Sequence, residues 1–285
     1  MSKIEWTDVT WNPVTGCTKI SPGCKNCYAE RMARRLSGRV GYPQIPHHFD
    51  VTLHPERLEA PLHWRKPRMV FVNSMSDLFH RDVPDTFIMQ VFDVMRRAHW
   101  HTFQVLTKRA ERMASMKIDW PKNVWAGVSA STQALAKRRI PWLLKINAVR
   151  FLSLEPLLSR IDFNEIWPGG LAYGDGPYVT GVHWVIVGGE SGPGARPMYP
   201  DWVRGVRDQC VDAGVPFFFK QWGAWFPREQ WEHNPDLILP DDDVLQYDDK
   251  TVIMPNHTVM HLVGKKRAGR LLDGVLWDEM PEVLP

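Results

Sequence analysis

Short apolar runs alternate with amphipathic segments through the middle of the chain. Each run has three to five residues, carries few polar side chains and ends in small or polar residues. The runs are Met69–Val72, Phe103–Leu106, Val124–Val128, Val149–Leu152, Trp184–Val187 and Phe217–Phe219. Helical periodicity fills the intervals at residues 84–98, 109–116, 131–146 and 200–213. Nearly continuous apolar strands that alternate with helices are typical of parallel strands joined by crossover helices.

This pattern, with a further short strand expected near Thr7–Trp11, predicts six or seven β/α units. We therefore predict an α/β fold, a partial (β/α)6-7 barrel with an N-terminal cysteine loop and a C-terminal extension. The barrel is expected to span residues 1–225 and to carry the cysteine loop at 16–30. Residues 226–285 are expected to form an extension that packs on the barrel.

Other segments are predicted outside this alternation. One helix is expected from Cys27 to about Leu36, and a shorter one over residues 55–64, with Pro55 in its first turn. Gly, Pro and Asp concentrate at 168–181, which indicates an insertion loop. An acidic, proline-containing loop is expected at about 233–250.

The composition is that of an ordinary globular protein. The 285 residues are 44% hydrophobic and 24% charged. No stretch approaches the roughly 18 apolar residues of a membrane span, and the N-terminus lacks the apolar core of a signal peptide. Four cysteines, three of them clustered, argue against a disulfide framework. We therefore expect a cytoplasmic protein without a membrane partner, in which Cys210 is a buried thiol on a helix.

The net charge of +3 conceals an asymmetry between the two halves of the chain. Residues 1–150 carry 24 Lys and Arg against 12 Asp and Glu, whereas residues 151–285 carry 11 against 20. A basic half of this size indicates a polyanionic partner, with nucleic acid the leading candidate. The alternative is a basic but merely solvated helix surface.

Three cysteines fall within eleven consecutive positions. Cys17, Cys24 and Cys27 have the spacing Cys-x6-Cys-x2-Cys, and the intervening Ser21-Pro22-Gly23 favours a turn that folds the loop back on itself. Three converging thiolates without a fourth cysteine nearby indicate a metal site with one open position. An iron–sulfur cluster with one non-cysteine iron fits this pattern, and so does zinc with a distant fourth ligand. The candidates for that fourth ligand are His47, His48 and Cys210.

Polar and small residues follow most of the predicted strands. Because the carboxyl ends of parallel strands share one edge, these residues are expected to form a polar pocket beside the cysteine loop. Several have plainer explanations: Ser76 and Asp77 can start a loop, Lys108 can be a surface charge, and Gly188 and Gly189 can make a tight turn. The candidates are Ser76, Asp77, Lys108, Ser129, Glu155, Gly188, Gly189 and Glu190.

Seven segments carry a resemblance to a known family. They are Trp11–Cys17, Asn73–Phe79, Val105–Arg109, Ser153–Leu158, Val187–Gly192, Phe218–Gly223 and Gly264–Gly274. These segments resemble the phage Gp37/Gp68-like proteins, a three-Cys-motif family of unknown function (DUF5131), and the match runs nearly end to end. That family is similar in turn to radical S-adenosylmethionine (radical SAM) enzymes, especially the branch that resembles spore photoproduct lyase.

The resemblance implies a barrel of the radical SAM type and a definite set of cofactors. Cys17, Cys24 and Cys27 are expected to hold three irons of a 4Fe–4S cluster, and the fourth iron to bind S-adenosylmethionine. An external one-electron reductant is expected, and cleavage of the cofactor then gives a 5′-deoxyadenosyl radical. The gap of six residues after Cys17 is longer than the usual three.

The resemblance also implies roles for individual residues. Tyr28 is expected to pack near the adenine. Contacts to the cofactor's ribose, amino or carboxylate groups are expected from Ser76, Asp77, Lys108, Ser129 and Glu155. Gly188, Gly189 and Glu190 are included in the cofactor-binding set because they end a strand. Their role is not taken from the family's glycine-glycine-glutamate motif, because in typical members that motif follows the second strand.

Three functional hypotheses follow. The first is a radical SAM enzyme that acts on nucleic acid or a nucleotide, in repair or modification. Lys265, Lys266, Arg267 and Arg270 are its candidate phosphate-backbone clamp. The second is a non-enzymatic nucleic-acid-binding protein with a structural zinc on the same cysteines. The third is a phage or defence protein that needs a partner chain for its activity.

Overall fold

The computed structural model describes residues 4–166, 181–234, 250–254 and 257–282. The loops predicted at 168–181 and 233–250 lie almost entirely outside these residues. The chain divides into two compact units. The first comprises residues 1–129 and 138–151, and the second comprises residues 130–137 and 152–285.

The first unit is built around four parallel strands. Its elements are β1 (Val9–Trp11), β2 (Val14–Thr15), α1 (Tyr28–Arg35), β3 (Thr52–Leu53), β4 (Met69–Val72), α2 (Asp85–Arg97), β5 (Thr102–Thr107), α3 (Ala110–Ser115) and β6 (Val124–Ser129). Strands β1, β4, β5 and β6 pair in parallel in that order, and β2 pairs with β3 antiparallel. All six residues of β6 are buried, as expected for a strand covered on both faces.

A glycine inside β6 makes room for an aromatic side chain. A Cβ atom on Gly127 would lie 2.2 Å from the ring of Phe151, so a larger residue here would collide with that ring. Gly127 costs conformational entropy in a strand, and the packing of the buried Phe151 side chain offsets that cost.

Helix α4 (Gln133–Leu143) and strand β7 (Arg150–Leu154) each have residues in both units. The elements that follow them in the chain belong to the second unit. They are β8 (Trp184–Gly188), α5 (Pro200–Asp212), β9 (Phe217–Gln221), β10 (Trp225–Pro227), β11 (Thr251–Ile253), β12 (Val259–Leu262), α6 (Lys265–Ala268), β13 (Leu271–Leu272) and β14 (Val275–Leu276). Strands β8 and β9 pair in parallel, and β10–β12–β11 and β13–β14 form small antiparallel sheets.

The large sheet has seven strands in the order β1-β4-β5-β6-β7-β8-β9. The α/β class is therefore confirmed, and each predicted apolar run overlaps a strand. The helix predicted over residues 55–64 is wrong, because two separate 3₁₀ turns, Pro55–Arg57 and Ala60–His63, occupy this stretch. Pro61 lies at the start of the second turn, where it lacks the N–H that a continuous helix requires. The boundary at residue 225 stays a prediction.

Cys210 lies on α5 and is fully buried, as predicted. None of the helices in the described parts of the chain combines the length and apolar character that a membrane crossing requires.

Candidate functional site

The cysteine loop begins at a glycine that no other residue can replace without strain. Gly16 has φ +82°, and a Cβ atom there would lie 2.1 Å from the carbonyl oxygen of Asp50. Its amide donates to the carbonyl of Met75 at 3.0 Å, while the amide of Cys17 donates to the carbonyl of Phe49 at 3.1 Å. The path of the chain into the loop is therefore fixed on both sides by backbone contacts.

The segment after β4 holds the segment after β1. Asn12 Oδ1 accepts from the amide of Met75 at 3.0 Å and from Ser74 Oγ at 3.2 Å. Ser76 Oγ donates to the carbonyl of Val14 at 2.8 Å, and Ser76 forms a parallel bridge with Gly16. Ser76, a predicted cofactor contact, thus supports the entrance to the cysteine loop.

Asp77 is a buried carboxylate, 5% exposed, that is fully engaged in hydrogen bonds. Its Oδ1 accepts from Thr107 Oγ1 at 2.6 Å and from the amide of Phe79 at 3.1 Å. Its Oδ2 accepts from the amide of Lys108 at 3.0 Å and from Arg109 Nη1 at 2.9 Å. Four donors saturate the two oxygens, so the carboxylate ties the ends of β4 and β5 together.

Arg109 connects this carboxylate to the cysteine loop. Its Nη1 atom also donates to Cys17 Sγ at 3.5 Å, and its Nη2 donates to the carbonyl of Thr18 at 3.2 Å and to Thr18 Oγ1 at 3.1 Å. Burial acts to lower the pKa of Arg109, but the charges of Asp77 and Cys17 outweigh burial and raise it. The Thr18 hydroxyl also lies 2.7 Å from the buried Nε2 of His80.

Cys17 and Cys24 lie in different electrostatic environments. Burial, followed by the charge of Asp77, raises the pKa of Cys17 to about 11, although Arg109 acts in the opposite direction. Burial alone would raise the pKa of Cys24, but the charge of Lys108 and a hydrogen bond with Ser21 lower it. Ser21 Oγ lies 3.4 Å from Cys24 Sγ. Two cationic side chains thus stand where negative thiolates would develop.

All three loop thiols are free and half-buried, which suits ligands that a metal must reach. Thiolates are the ligand type that iron–sulfur clusters and zinc prefer. Within residues 4–166, 181–234, 250–254 and 257–282, no three His, Cys, Asp or Glu side chains stand in an arrangement ready to hold a metal ion. The donor set therefore fits the implied cluster in chemistry, without being preassembled. His47, a candidate fourth zinc ligand, lies 2.8 Å from Asp50 Oδ2.

Three further predicted residues of the first unit lie at different depths. Tyr28 opens α1 directly after Cys27 and is 60% exposed, which leaves its ring available to a ligand. Lys108 is half-buried at the end of β5. Ser129, at the end of β6, is 1% exposed, and its Oγ atom has no hydrogen-bond partner among the described residues. A buried hydroxyl without a partner is costly and can be satisfied by a ligand.

In the second unit, Glu155 forms an ion pair with Lys220. Lys220 Nζ lies 2.7 Å from Glu155 Oε1, and both side chains are largely buried. A Cβ atom on Gly188 would approach the Glu155 carboxyl group to 3.4 Å, so a side chain at residue 188 would crowd it. Among the described residues the Glu155 carboxylate accepts only the Lys220 bond at Oε1, so Oε2 retains acceptor capacity.

Gly189 and Glu190 have structural partners in the same unit. A Cβ atom on Gly189 would lie 1.8 Å from the carbonyl oxygen of Trp222, so this glycine allows two backbone segments to touch. Glu190 is 7% exposed, and its carboxylate accepts from Arg196 Nη2 at 2.7 Å and from Arg196 Nε at 2.9 Å. The Arg196 amide adds a third bond at 2.9 Å.

The predicted phosphate clamp divides into two parts. Lys265, Lys266 and Arg267 are exposed on the short helix α6. The guanidinium of Arg270 instead lies 5.0 Å from the centre of the Phe218 ring. The Nε and Nη2 atoms of Arg270 are buried and lack hydrogen-bond partners among the described residues.

Two cations at predicted strand ends contact predicted site residues but were not selected as site residues themselves. Arg109 follows Lys108, and Lys220 follows the run Phe217–Phe219. The pairing of Arg196 with Glu190 left no signal in the sequence, because it depends on the path of a loop.

The features above define an α/β protein with an anchored three-cysteine loop, and comparison with known proteins places it in a family. The chain belongs to the DUF5131 family, described as proteins of unknown function, which matches residues 1–281. A search of curated proteins finds no match.

The chain has a weak structural similarity to one solved structure. The solved structure is a variant of spore photoproduct lyase with bound AdoMet and dinucleoside spore photoproduct. The TM-score is 0.40 and the sequence identity 8%, and the similarity covers 89% of this chain and 68% of that chain. A similarity of this size assigns no activity to the chain.

Proposed function

We propose that the protein is a radical SAM enzyme with a partial (β/α)6-7 barrel of that type. In this proposal Cys17, Cys24 and Cys27 hold a 4Fe–4S cluster, and S-adenosylmethionine is the second cofactor. The observation that carries the proposal is the anchored loop. Three free, half-buried thiols lie within eleven residues, and contacts from Gly16 and Arg109 hold the start of their loop.

Such a cluster, when bound, supplies the electron that cleaves S-adenosylmethionine. The chain's own residues bind and orient the two cofactors. Asp77 fixes Arg109, and Arg109 fixes the carbonyl and hydroxyl of Thr18, so the first turn of the loop stays in place when Cys17 binds iron. Lys108 and Arg109 offset the negative charge of thiolates.

The cofactor-binding set follows from exposure and unused polar groups. The exposed Tyr28 ring is proposed to pack on the adenine, and the unpartnered hydroxyl of Ser129 to bind a polar group of the cofactor. Lys108 and Glu155 are proposed to contact its ribose, amino or carboxylate groups. Five other residues of the predicted set are proposed to support the site indirectly, because the contacts described for them are with other residues of the protein. They are Ser76, Asp77, Gly188, Gly189 and Glu190.

The proposed substrate is nucleic acid or a nucleotide, since the first 150 residues carry twice as many basic as acidic side chains. The exposed cations of α6 are a candidate surface for a phosphate backbone. The proposal also requires an external one-electron reductant. In one variant of it, a partner protein is needed for activity. The proposed location is the cytoplasm, where thiols stay reduced.

Anaerobic reconstitution tests the proposal. The wild-type protein is expected to bind iron and sulfide at roughly four each per chain and to release 5′-deoxyadenosine when dithionite is added. Cys17→Ser, Cys24→Ser and Cys27→Ser should each lose most of the iron. Cys210→Ser is the matched control, since this thiol is buried on α5, and it should retain the full iron content.

Two results would contradict the proposal. Purified protein that holds one zinc and never cleaves S-adenosylmethionine would favour the structural zinc protein instead. A Cys17→Ser variant that keeps its full iron content would show that Cys17 is not a ligand.

A further inference from the structure

A cavity of about 420 Å³ lies in the first unit, between the cysteine loop, the end of β5 and the second half of α4. Its volume falls within the range of about 300–1,000 Å³ that is typical of small-molecule sites. The lining residues are Ile20, Phe79, Arg81, Lys108, Arg109, Ala110, Glu111, Arg112, Arg138, Arg139 and Trp142. Six of these eleven are cationic and one is acidic.

Three of the six cations have a carboxylate partner. Arg109 pairs with Asp77, Arg112 pairs with Asp85 at 2.5 Å, and Arg81 lies 3.5 Å from Asp82. The charges of Arg109 and Arg112 are therefore partly neutralised and these side chains hold the wall of the cavity in place. The side chain of Arg81 is 84% exposed, so its contact with the neighbouring Asp82 is weak and leaves it able to bind a ligand.

Of the other three cations, Lys108 is already assigned to the thiolates and the proposed cofactor, whereas Arg138 and Arg139 form no ion pair with a carboxylate among the described residues. Arg139 is 5% exposed, and its Nη1 donates to the carbonyl of Ser129 at 2.6 Å. Arg138 is exposed. Asp77 and Cys24 attract Arg139 from a distance without an ion pair, so its burial remains costly, and an anionic ligand in the cavity would reduce that cost.

The remaining wall is apolar. Ile20, Phe79, Ala110 and Trp142 supply it, and Trp142 is a half-exposed aromatic ring. Guanidinium groups beside an aromatic ring suit a ligand that joins an anionic group to a planar base, because arginine binds phosphate in a bidentate manner and bases stack on aromatic rings.

We propose that this cavity binds the phosphate group of a nucleotide, either free or within a nucleic-acid strand. The inference gives the proposed nucleic-acid chemistry a site in the first unit, distinct from the cations of α6. It does not require an iron–sulfur cluster. S-adenosylmethionine, which Lys108 is proposed to contact at the edge of the cavity, is a poor candidate for the part lined by arginines, because at neutral pH its sulfonium and amino groups outweigh its carboxylate and leave a net positive charge.

Binding measurements on the full chain test the inference, both before and after cluster reconstitution. The probes are a fluorescent single-stranded DNA oligonucleotide, adenosine monophosphate and inorganic phosphate. Arg81→Gln/Arg138→Gln should weaken nucleotide binding about tenfold, because each removed side chain loses a charged hydrogen bond. The salt dependence of oligonucleotide binding should fall by a slope of roughly 1 to 2. Arg65→Gln is the matched control, an exposed arginine of the same unit outside the cavity, and should bind as the wild type does.

A second measurement needs no variant. Modification of arginines by phenylglyoxal, read by mass spectrometry, should be slowed by adenosine monophosphate at Arg138 and unchanged at Arg65. Binding of the oligonucleotide alone would identify a strand as the source of the phosphate, and binding of the mononucleotide alone would identify a free nucleotide.

Two outcomes would overturn the inference: unchanged binding in the double variant, or equal loss in Arg65→Gln. A protein that fails to assemble a cluster yet binds nucleotide at this cavity would refute the radical SAM proposal alone.

Discussion

Arg109 reaches Cys17 from a position 92 residues away in the sequence, with its Nη1 atom 3.5 Å from the sulfur. The same nitrogen donates to the buried Asp77 carboxylate at 2.9 Å. One guanidinium therefore joins the cysteine loop to the ends of two strands. This arrangement makes the loop part of the folded unit rather than an independent metal-binding segment.

The first prediction concerns the pair of Arg109 and Asp77. Arg109→Met leaves a buried carboxylate without its counter-ion and should lower the free energy of unfolding by about 3–5 kcal/mol. Adding Asp77→Asn removes the stranded charge but keeps an oxygen for Thr107. A double-mutant cycle by urea denaturation should therefore give a coupling free energy of at least ~1 kcal/mol.

The control for this cycle is the exposed pair of Arg97 and Asp93, whose atoms lie 3.6 Å apart on α2. Its coupling should stay below about 0.5 kcal/mol, because water screens both charges. Equal coupling in the two cycles would mean that burial of the Arg109 pair has no energetic effect.

The second prediction concerns Gly16. Gly16→Ala combines a positive φ with a collision against the Asp50 carbonyl and should cost more than about 3 kcal/mol. Gly214→Ala has φ +63° but open space around its Cβ position, so it isolates the backbone term and should cost about 1 kcal/mol. Thermal and urea unfolding measure both values. Similar losses in the two variants would show that the loop moves away from residue 50 at little cost.

The third prediction concerns Asp273, which with Gly274 forms the two-residue turn between β13 and β14. Hydrogen bonds from Arg204, then Gln230 and Arg207, hold the pKa of this carboxyl well below its usual range, against the opposing effect of burial. A carboxyl whose pKa is lower in the folded chain stabilises the fold above its unfolded pKa of about 3.9, and this stabilisation fades as pH falls below that value.

Asp273→Asn should therefore lower the free energy of unfolding by about 1–3 kcal/mol at pH 7. The difference from wild type should shrink steadily between about pH 4 and pH 2, as measured by denaturant titrations at each pH. A difference that stays constant with pH would show that the Asp273 charge does not contribute.

The fourth prediction concerns Tyr28. Because its side chain is exposed, Tyr28→Ala should change the free energy of unfolding by no more than about 0.5 kcal/mol. In reconstituted protein the same change should weaken binding of S-adenosylmethionine by about 3- to 10-fold through lost aromatic contact. Tyr28→Phe keeps the ring and should restore the affinity. Unaltered affinity in Tyr28→Ala would remove this residue from the proposed adenine site.

Hydrophobic pattern was sufficient for the large sheet. Runs such as Trp184–Val187 lie in strands buried on both faces, so their apolar character is nearly continuous and distinct from the helices between them. The strands β10 to β14 went unpredicted, because segments of two to four residues are too short for a period to emerge. The helix expected over 55–64 failed for a local reason, the proline in its interior.

The candidate site was only partly readable from sequence. Position at a strand end identified Asp77 and Lys108, because parallel topology brings such ends to one edge. The position at a strand end does not indicate whether a side chain is available to a ligand. Asp77, for example, is fully engaged in hydrogen bonds within the protein. Arg138 and Arg139 were not predicted as site residues, because an arginine pair on a helix is indistinguishable in sequence from solvated surface. Only the structure shows that they line a cavity.

The long sequence distance between Cys17 and Arg109 has a consequence for biosynthesis. All three thiols are synthesised before Arg109, and also before Phe49, Asp50 and Met75, whose backbones contact Gly16 and Cys17. At about 5–20 residues per second, 92 further residues take roughly 5–18 s to synthesise. During that interval the nascent cysteines are exposed to oxidants and competing metals, so delivery of the proposed cluster is favoured after Arg109 has joined the first unit.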